Sequence, residues 1–544
     1  MVTSSLPRPR RRATVARRFA FNALLLIGVN LFMRTVGVSF NVSLSSRAGG
    51  EVMGIHSLII GVYGLAMTLG CGGIGLGTTR MVADVLGHFQ SREDGDGAVA
   101  PLGDDCRRAV RQVLTRCLLY SAACGAGAGA LLFCGAPFVG AVWLGDSRTV
   151  LSLRVLALTL PAIAVCACLN GYFTAVRRVL KSAAVSIGAQ FLRIGFCAYL
   201  LTLWLPAGVE MTCLALVLGG ALAEVCGLIL TLFAYAWDRH KYLSAVTKAK
   251  CSDSALCGSR KLLGITVPVT LSACLRSGLL TLQHSLIPRG LKRSGASWEA
   301  ALSSYGVLHG MVLPVVLFPS AFISSFSGLL VPEVAESRAR GDGERIARLA
   351  DKIITPALIF SIGVAGIMSC FGYELGEAIY SSREAGLYIR VLAPLIPIMY
   401  VDSSVDGFLK GLGEQVYSMN VNILDAAVSV LLVWLLLPRM GLWGYVVAIY
   451  VTETLNTTLS LCRMLRLSRM PVRLMGQVFG PIFCVVGATA ACRLAGAFAG
   501  LSIGTPMSLI LWIALCSALY LLLCVATGVL GKERLRDFKR VLFG

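Results

Sequence analysis

Three arginines lie inside long apolar runs of the sequence, where a charged side chain is costly. They are Arg34, Arg193 and Arg276, and an arginine at the centre of a membrane-spanning helix costs about 3 kcal/mol on insertion scales. Each is therefore expected to face a cavity or a partner. Arg47 follows Arg34 in the first polar segment. Because a guanidinium binds phosphate through two parallel hydrogen bonds, arginines in a cavity favour an anionic substrate.

Two acids inside a later apolar run form a second candidate site. Asp402 and Asp406 are four residues apart, which places them on one face of a helix. Carboxylates so spaced suit a shared H+ or Na+, and they are candidates for ion coupling. The alternatives are structural: a pair with a neighbouring helix, or a helix end for Asp406. Arg193 has a comparable alternative, an ion pair with Glu224 of the next run.

The elements that position these residues are long apolar segments. The chain has 544 residues, 56% of them apolar and 14% charged, whereas a soluble domain has about 25% charged residues. Apolar runs long enough to cross a hydrocarbon core of about 30 Å recur with short polar gaps. This pattern excludes a soluble enzyme and predicts an all-α polytopic membrane protein with fourteen transmembrane helices. The predicted spans are 19–40, 54–78, 110–134, 150–175, 182–204, 212–236, 262–287, 303–331, 350–372, 386–411, 415–437, 441–464, 473–497 and 504–530.

The charge and cysteine content fit this class. Most of the 49 Lys and Arg residues fall in segments on the same side as the N-terminus, so the positive-inside rule predicts cytoplasmic termini in a multi-pass protein of the cytoplasmic membrane. The net charge of +21 is thereby explained without nucleic acid as a partner. Most cysteines lie in apolar runs, where they pack as small apolar residues. No metal site, cofactor or catalytic residue is predicted.

An internal repeat relates the fourth and tenth spans. Arg154-Val-Leu-Ala157 recurs as Arg390-Val-Leu-Ala393, and Asn170-Gly171 aligns with Asp406-Gly407, at an offset of 236 residues. Since six spans separate the copies, both halves share one orientation, a parallel repeat known from transporters with a central cavity. Arg34 and Arg276 lie in equivalent helices and are expected to reach that cavity. The predicted organisation is a basic tail (1–18), an N-lobe (19–236), a linker (237–261), a C-lobe (262–464) and two further helices with a basic tail (465–544).

Several ordered motifs resemble those of one family. They are Arg34-Thr-Val-Gly37, Gly73-Ile-Gly-Leu-Gly-Thr-Thr-Arg-Met-Val-Ala-Asp84, Ile287-Pro-Arg289-Gly-Leu291, Leu330-Val-Pro-Glu-Val-Ala-Glu336 and Gly411-Leu-Gly-Glu-Gln415. Together they resemble the oligosaccharide flippase family, the branch related to stage V sporulation protein B. That family lies within the multidrug/oligosaccharidyl-lipid/polysaccharide (MOP) exporter superfamily, which includes lipid II flippases of the MurJ type.

The resemblance implies a two-lobed carrier that moves polyprenyl-diphosphate-linked sugars outward by alternating access. Arg34 matches the arginine of the family's Arg-x-x-Gly motif, which implies a contact with the diphosphate. The last two spans are similar to an extra pair that forms a lipid-tail groove in lipid II flippases. Two positions depart from the family: Asn41 replaces a second basic residue, for which Arg47 is the candidate substitute, and Gln283 replaces an acid.

The predicted function is thus a flippase for a lipid-linked saccharide in the membrane. Arg34 and Arg276 hold the diphosphate, Arg193 and Arg47 assist, and Asp402 and Asp406 are candidate coupling acids. Membrane lipids, H+ or Na+, and cell-wall synthesis enzymes are the further candidate partners. Three alternatives stay open: a cation-coupled multidrug exporter that depends on the acids, a scaffold for envelope-synthesis enzymes, and an integral membrane glycosyltransferase.

Overall fold

The computed structural model describes residues 9–90, 104–176, 178–242, 259–499 and 506–529, and all regular structure in these ranges is helical. The predicted all-α membrane fold is confirmed. Short π-helical or 3₁₀ segments occur at Val139–Leu144, Leu205–Ala207, Gly306–Val312, Ala393–Leu395 and Met475–Phe479. The α-helices are α1 (Pro9–Cys71), α2 (Ile74–Gln90), α3 (Asp104–Phe138), α4 (Thr149–Ala157), α5 (Leu160–Ala175), α6 (Val179–Trp204), α7 (Val209–Tyr242), α8 (Ser259–Arg293), α9 (Trp298–Tyr305), α10 (Leu313–Leu317), α11 (Ser320–Ala339), α12 (Gly343–Tyr380), α13 (Arg383–Leu392), α14 (Ile396–Gly411), α15 (Gln415–Met440), α16 (Leu442–Ser468), α17 (Gly480–Ala499) and α18 (Pro506–Ala526).

Within the described ranges, eleven helical segments are long and apolar enough to cross a membrane, or twelve if the bent pair α4–α5 is one span. The predicted fourteen spans are compatible with this number and stay a prediction. One segment, Leu31–Leu86, covers the predicted span 54–78 and part of 19–40, with non-helical backbone at Gly49 between them. The predicted span 441–464 corresponds to α16. This helix is not among the eleven segments, because its polar side chains lower its mean hydropathy.

The chain divides into two compact units. The first unit contains Met1–Ser46, Val307–Asp425 and Val446–Gly544, and the second contains Arg47–Gly306 and Ala426–Tyr445. These units do not follow the boundaries of the predicted lobes, because the start of α1 groups with the later helices and α8 with the earlier ones. The five-part organisation from the sequence therefore stays a prediction.

Each unit has a core formed by three or four helices. In the second unit, α2, α3 and α5 bury Val82, Val113 and Phe173 against one another. In the first unit, α11, α12, α14 and α16 bury Val405 and Phe408 among other apolar side chains. The broken helices form hydrogen bonds at their breaks, as where the Thr270 hydroxyl of α8 donates to the Gly72 carbonyl between α1 and α2.

Helices α17 and α18 are fixed along α12 in the first unit. At the start of α12, Gln477 donates hydrogen bonds to Asp351 (3.1 Å) and Thr355 (3.0 Å). The Tyr520 hydroxyl donates to the Ile359 carbonyl at 2.6 Å. Arg493 pairs with Glu374 at 2.7 Å and also donates to the Cys370 carbonyl, beside the non-helical residue Phe371. The last two helices therefore pack as a specific part of this unit.

The internal repeat recurs in helix boundaries. Helix α5 (Leu160–Ala175) and helix α14 (Ile396–Gly411) begin and end at positions 236 residues apart, and each follows a short helix and a break. The connections before them also match, since Gly145 (φ 75°) and Ser381 (φ 50°) are both left-handed at the same offset.

The repeat extends to side-chain contacts inside each unit. Arg154 stacks on the Phe133 ring at 5.4 Å, and Arg390 stacks on the Tyr373 ring at 5.4 Å. The Ser182 hydroxyl donates to Asn170, and the Ser418 hydroxyl donates to Asp406, the residue equivalent to Asn170. The two halves therefore share local geometry as well as sequence.

Candidate functional site

Arg34 lies on α1 in the first unit, with an exposed side chain. Its Nη2 donates to the Leu317 carbonyl at 3.2 Å and to the Ser320 hydroxyl at 3.4 Å. The Leu317 carbonyl can accept this bond because α10 ends at Leu317. Beyond the break at Phe318-Pro319, the Ala321 N–H donates to the Phe318 carbonyl rather than to the Leu317 carbonyl. The helix break thus provides a neutral acceptor that orients the guanidinium.

The charge of Arg34 is not balanced by an acid within the described ranges, where its hydrogen-bond partners are a carbonyl and a hydroxyl. Both bonds use Nη2, and a guanidinium has five N–H donors in all. The remaining donors form the fork that binds phosphate or carboxylate. This arrangement is chemically suited to holding an anion.

Asn41 lies seven residues after Arg34, two helical turns along the same face. Its side-chain amide donates to the Gly310 carbonyl at 3.2 Å, within the π-helical segment Gly306–Val312. Asn41, at the position where the family has a second basic residue, is therefore a neutral donor to a carbonyl of a π-helical segment. Arg34 and Asn41 together hold α1 to carbonyls at the end of α10 and in the π-helical segment before it.

Arg193 lies half-buried on α6 in the second unit, beside α7. A β carbon at Gly220 of α7 would be 3.5 Å from the Arg193 guanidinium. Glu224 is one turn further along α7, close enough for the two charges to interact electrostatically, and the partly buried His56 is in similar range. The structural pairing of Arg193 with Glu224 is thus geometrically accessible.

Arg47 and Arg276 are both exposed in the second unit. Over the described part of the chain, neither has an ion pair or a hydrogen bond from its side chain. The same ranges contain no direct contact among Arg47, Arg193 and Arg276. The proposed substrate role of all three stays a prediction.

Asp402 and Asp406 share one face of α14 but are engaged by different groups. Asp402 accepts a hydrogen bond from the Asn456 amide of α16 at 3.1 Å. Asp406 pairs with Lys410 at 2.6 Å, one turn further along α14, and accepts from Ser418. Asp406 thus has the features of a helix-end residue, whereas Asp402 faces a neighbouring helix. Their coupling role stays a prediction.

A cluster that the sequence analysis missed surrounds Asp238 at the end of α7. Asp238 is fully buried and accepts hydrogen bonds from the Tyr172 hydroxyl at 2.9 Å and from Lys181 at 2.6 Å. Arg178 forms a further ion pair with the same carboxylate. We call these four residues the Asp238 cluster.

The first unit contains a cluster that shares two repeat positions with the Asp238 cluster. Glu414 accepts hydrogen bonds from Arg463 Nη2 at 2.9 Å and Nε at 3.2 Å, and Arg463 stacks on the Tyr417 ring at 5.2 Å. The offset of 236 relates Arg178 to Glu414 and Lys181 to Tyr417. In this Glu414 cluster the acid is in the loop before α15 and the base is on α16, the reverse of the Asp238 cluster. A search for identical residues misses such a pair.

A third polar group lies in the connection between α3 and α4. The Asp146 carboxylate binds Arg148 at 2.7 Å and accepts from the Trp298 indole at 3.4 Å, while Arg148 also pairs with Glu51 at 3.0 Å. Burial raises the pKa of Asp146, but the hydrogen bonds and charge of Arg148 outweigh it and leave that pKa below its ordinary value. The carboxylate is thus ionised at neutral pH and, with Arg148, links this connection to α1 and to the start of α9.

The fold is that of transporters of the MOP superfamily. The chain matches the lipid II flippase MurJ in an inward closed conformation with a TM-score of 0.67 and 10% identity, over 93% of this chain and 99% of that one. It matches an inward-facing multidrug resistance MATE family transporter with a TM-score of 0.56 and 15% identity, over 82% of this chain and 100% of that one.

The sequence is homologous to a curated protein over nearly its full length. It is 22% identical to Stage V sporulation protein B of Bacillus subtilis (strain 168) over 541 residues, 95% of this chain and 97% of the relative. It is also 20% identical to Sporulation protein YkvU of the same organism over 314 residues, 57% of this chain and 70% of that protein. No protein-family model matches the sequence. The resemblance inferred from the motifs is confirmed.

Proposed function

We propose that this protein is a flippase that moves a polyprenyl-diphosphate-linked saccharide across the cytoplasmic membrane by alternating access. The observation that carries the proposal is Arg34, an exposed arginine in a membrane helix whose hydrogen-bond partners are neutral. The MOP fold and the homology to Stage V sporulation protein B support a transporter. MurJ, whose name states that it flips lipid II, supports a lipid-linked substrate.

The chemistry of the substrate explains why arginine is needed. A diphosphate is strongly hydrated, and moving it into a low-dielectric region without a counter-charge is prohibitively costly. A fixed guanidinium replaces part of that hydration with charge-assisted hydrogen bonds. The Leu317 carbonyl and the Ser320 hydroxyl hold the guanidinium in place, so little rotamer entropy is lost when the diphosphate binds.

The other predicted residues have supporting roles in the proposal. Arg276 is a second diphosphate contact, Arg47 and Arg193 add positive charge, and Asp402 and Asp406 couple H+ or Na+ binding to the conformational change. Flipping makes and breaks no covalent bond, so the protein acts as a carrier rather than an enzyme. The positive-inside rule places both termini in the cytoplasm.

The test is transport by purified protein in proteoliposomes. The substrate is a prenyl-diphosphate-linked disaccharide, and the comparison lipid carries the same prenyl chain and sugar without phosphate. We expect wild type to flip the diphosphate lipid and Arg34→Ala to slow it by about tenfold to a hundredfold, as expected for charged hydrogen bonds. Arg34→Lys should retain part of the rate, and Arg154→Ala is the control for loss of an arginine outside the site.

Two outcomes contradict the proposal. Equal rates for Arg34→Ala and wild type would remove Arg34 from the site. Failure to flip any prenyl-diphosphate lipid, together with efflux of a cationic dye that is lost in Asp402→Asn, would favour a cation-coupled multidrug exporter. That second candidate has support in the similarity to MATE transporters.

A further inference from the structure

The last turn of α16 and the connection from α16 to α17 contain a group of three arginines. Arg466, Arg469 and Arg473 are all exposed, and none forms an ion pair within the described ranges. The nearest acids along the chain are Glu453 and Glu533. We call residues 466–475 the arginine loop. Its charge is positive, and no acid lies near it along the chain.

Exposed apolar side chains alternate with these arginines. Leu467, Val472, Leu474 and Met475 have 39%, 53%, 57% and 72% of their surface accessible. The loop joins the end of α16 to the start of the candidate span Met475–Ala497. An apolar side chain at the end of a span contacts the acyl region, while a neighbouring arginine reaches the headgroups. The pattern thus matches the membrane–water interface.

The backbone of the loop is held in one conformation by the protein itself. Met470 is buried in the core of the first unit, and the Arg473 N–H donates to the Gln477 side chain at 3.0 Å. Gln477 in turn bonds Asp351 and Thr355 of α12. Arg469 has a left-handed backbone (φ 51°), where helices usually end in glycine. An arginine is thus present at a position that favours a residue without a side chain.

We propose that the arginine loop is a binding site for the phosphate headgroups of anionic phospholipids. The three guanidinium groups supply the charge and hydrogen-bond donors, and Val472, Leu474 and Met475 contact the acyl chains of the same lipids. An acidic protein partner would match the charge but not the exposed apolar residues next to a membrane span. The site is independent of the transported substrate, because it lies outside the residues assigned to the diphosphate.

The test compares two triple variants of the full-length protein in nanodiscs. The first is Arg466→Ala, Arg469→Ala and Arg473→Ala. The control is Arg340→Ala, Arg345→Ala and Arg348→Ala, which removes the same charge from a segment (333–352) where acids and bases are equal in number. The measurement is the preference for phosphatidylglycerol over phosphatidylcholine among lipids retained by the protein, determined by native mass spectrometry.

We expect the loop variant to lose that preference by about a hundredfold, since one arginine near an anionic surface contributes about fivefold. The control should keep the wild-type preference. A third variant with lysine at all three loop positions keeps the charge and should retain most of the preference, which separates loss of binding from loss of folding.

Three results would overturn the proposal. In the first, the alanine loop variant keeps the wild-type preference. In the second, the control loses as much as the loop variant, which would assign the effect to net charge. In the third, millimolar inorganic phosphate abolishes lipid retention, which would point to a site for free phosphate rather than for lipid.

Discussion

The Asp238 cluster and the Glu414 cluster share two positions of the repeat, 178/414 and 181/417, and have opposite polarity. In the second unit, the basic residues Arg178 and Lys181 precede or begin α6, and the acid Asp238 is on the helix that follows. In the first unit, the acid Glu414 precedes α15 and the base Arg463 is on α16. In both units an ion pair thus joins the start of one helix to the helix that follows, with the charges exchanged.

Burial also differs between the two clusters. The side chain of Asp238 is 0% exposed, whereas those of Glu414 and Arg463 are 20% and 38% exposed. Breaking a buried pair leaves an uncompensated charge, while an exposed pair contributes little. The two clusters should thus differ in how much they contribute to the free energy of unfolding. The predictions below test this difference.

The largest effect is expected for Asp238→Asn. The substitution weakens the charge-assisted hydrogen bonds that Arg178 and Lys181 donate to a fully buried acceptor, so the free energy of unfolding in detergent should fall by about 3 kcal/mol. Tyr172→Phe is the control, because it removes one hydrogen bond to the same carboxylate and should cost about 1 kcal/mol. Chemical denaturation measures both. A loss for Asp238→Asn no greater than for Tyr172→Phe would contradict the large contribution that we expect from the buried Asp238 carboxylate.

A triple variant tests whether the polarity can be exchanged. Arg178→Glu, Lys181→Tyr and Asp238→Arg together recreate the Glu414 cluster in the second unit. We expect this variant to recover about 2 kcal/mol of the stability lost in Asp238→Arg alone, because groups in contact couple strongly. The same denaturation experiment measures it. If the triple variant is no more stable than Asp238→Arg, the Asp238 cluster does not tolerate the reversed order of charges.

Asp146 provides a pH-dependent comparison, because the equivalent residue of the first unit is Ser382, which does not titrate. The pKa of Asp146 is lowered in the folded protein, so its contribution exists above the ordinary value of 3.8 and is lost as the pH falls through the lowered value. Asp146→Asn should cost about 1 kcal/mol at neutral pH, and this cost should vanish in acid. Thermal unfolding as a function of pH measures it, with Ser382→Ala as the control. A cost that persists unchanged in acid would exclude the charge of Asp146 as its origin.

The smallest effect is expected for Glu414→Gln. Since Glu414 and Arg463 are partly exposed, the loss should be about 0.5 kcal/mol. Arg463 keeps its contact with the Tyr417 ring in this variant. The same chemical denaturation measures the loss. A value as large as that of Asp238→Asn would mean that burial does not distinguish the two clusters.

The helical class and the repeat could be predicted from the sequence because both produce regular patterns of residues. Apolar runs mark the spans, and Arg154, Asn170 and Gly171 have aligned counterparts one repeat later. The structure adds that the aligned arginines stack on aromatic rings in both halves. These features could be predicted because they depend on neighbours along one helix or on the constant offset of 236 residues between the two copies of the repeat.

Contacts between distant positions could not be predicted in the same way. The Leu317 carbonyl that binds Arg34 is available because a helix breaks at Phe318-Pro319, and no pattern in the first helix indicates this. The pairs Arg178–Asp238 and Glu414–Arg463 join residues on different helices, with opposite signs in the two halves. The roles of Arg276, Arg47 and Asp402 likewise depend on what faces them, which composition alone does not specify.

The packing of α17 and α18 along α12 has a consequence for shortened forms of the protein. A chain truncated after Met470 would remove Gln477, Arg493 and Tyr520, and with them the hydrogen bonds to Asp351, Glu374 and Ile359. Apolar side chains of α12 would then require lipid in place of protein, and two carboxylates would lose donors at or near the membrane. The final helices are thus not a detachable module, and a shortened form of this chain would need a redesigned α12.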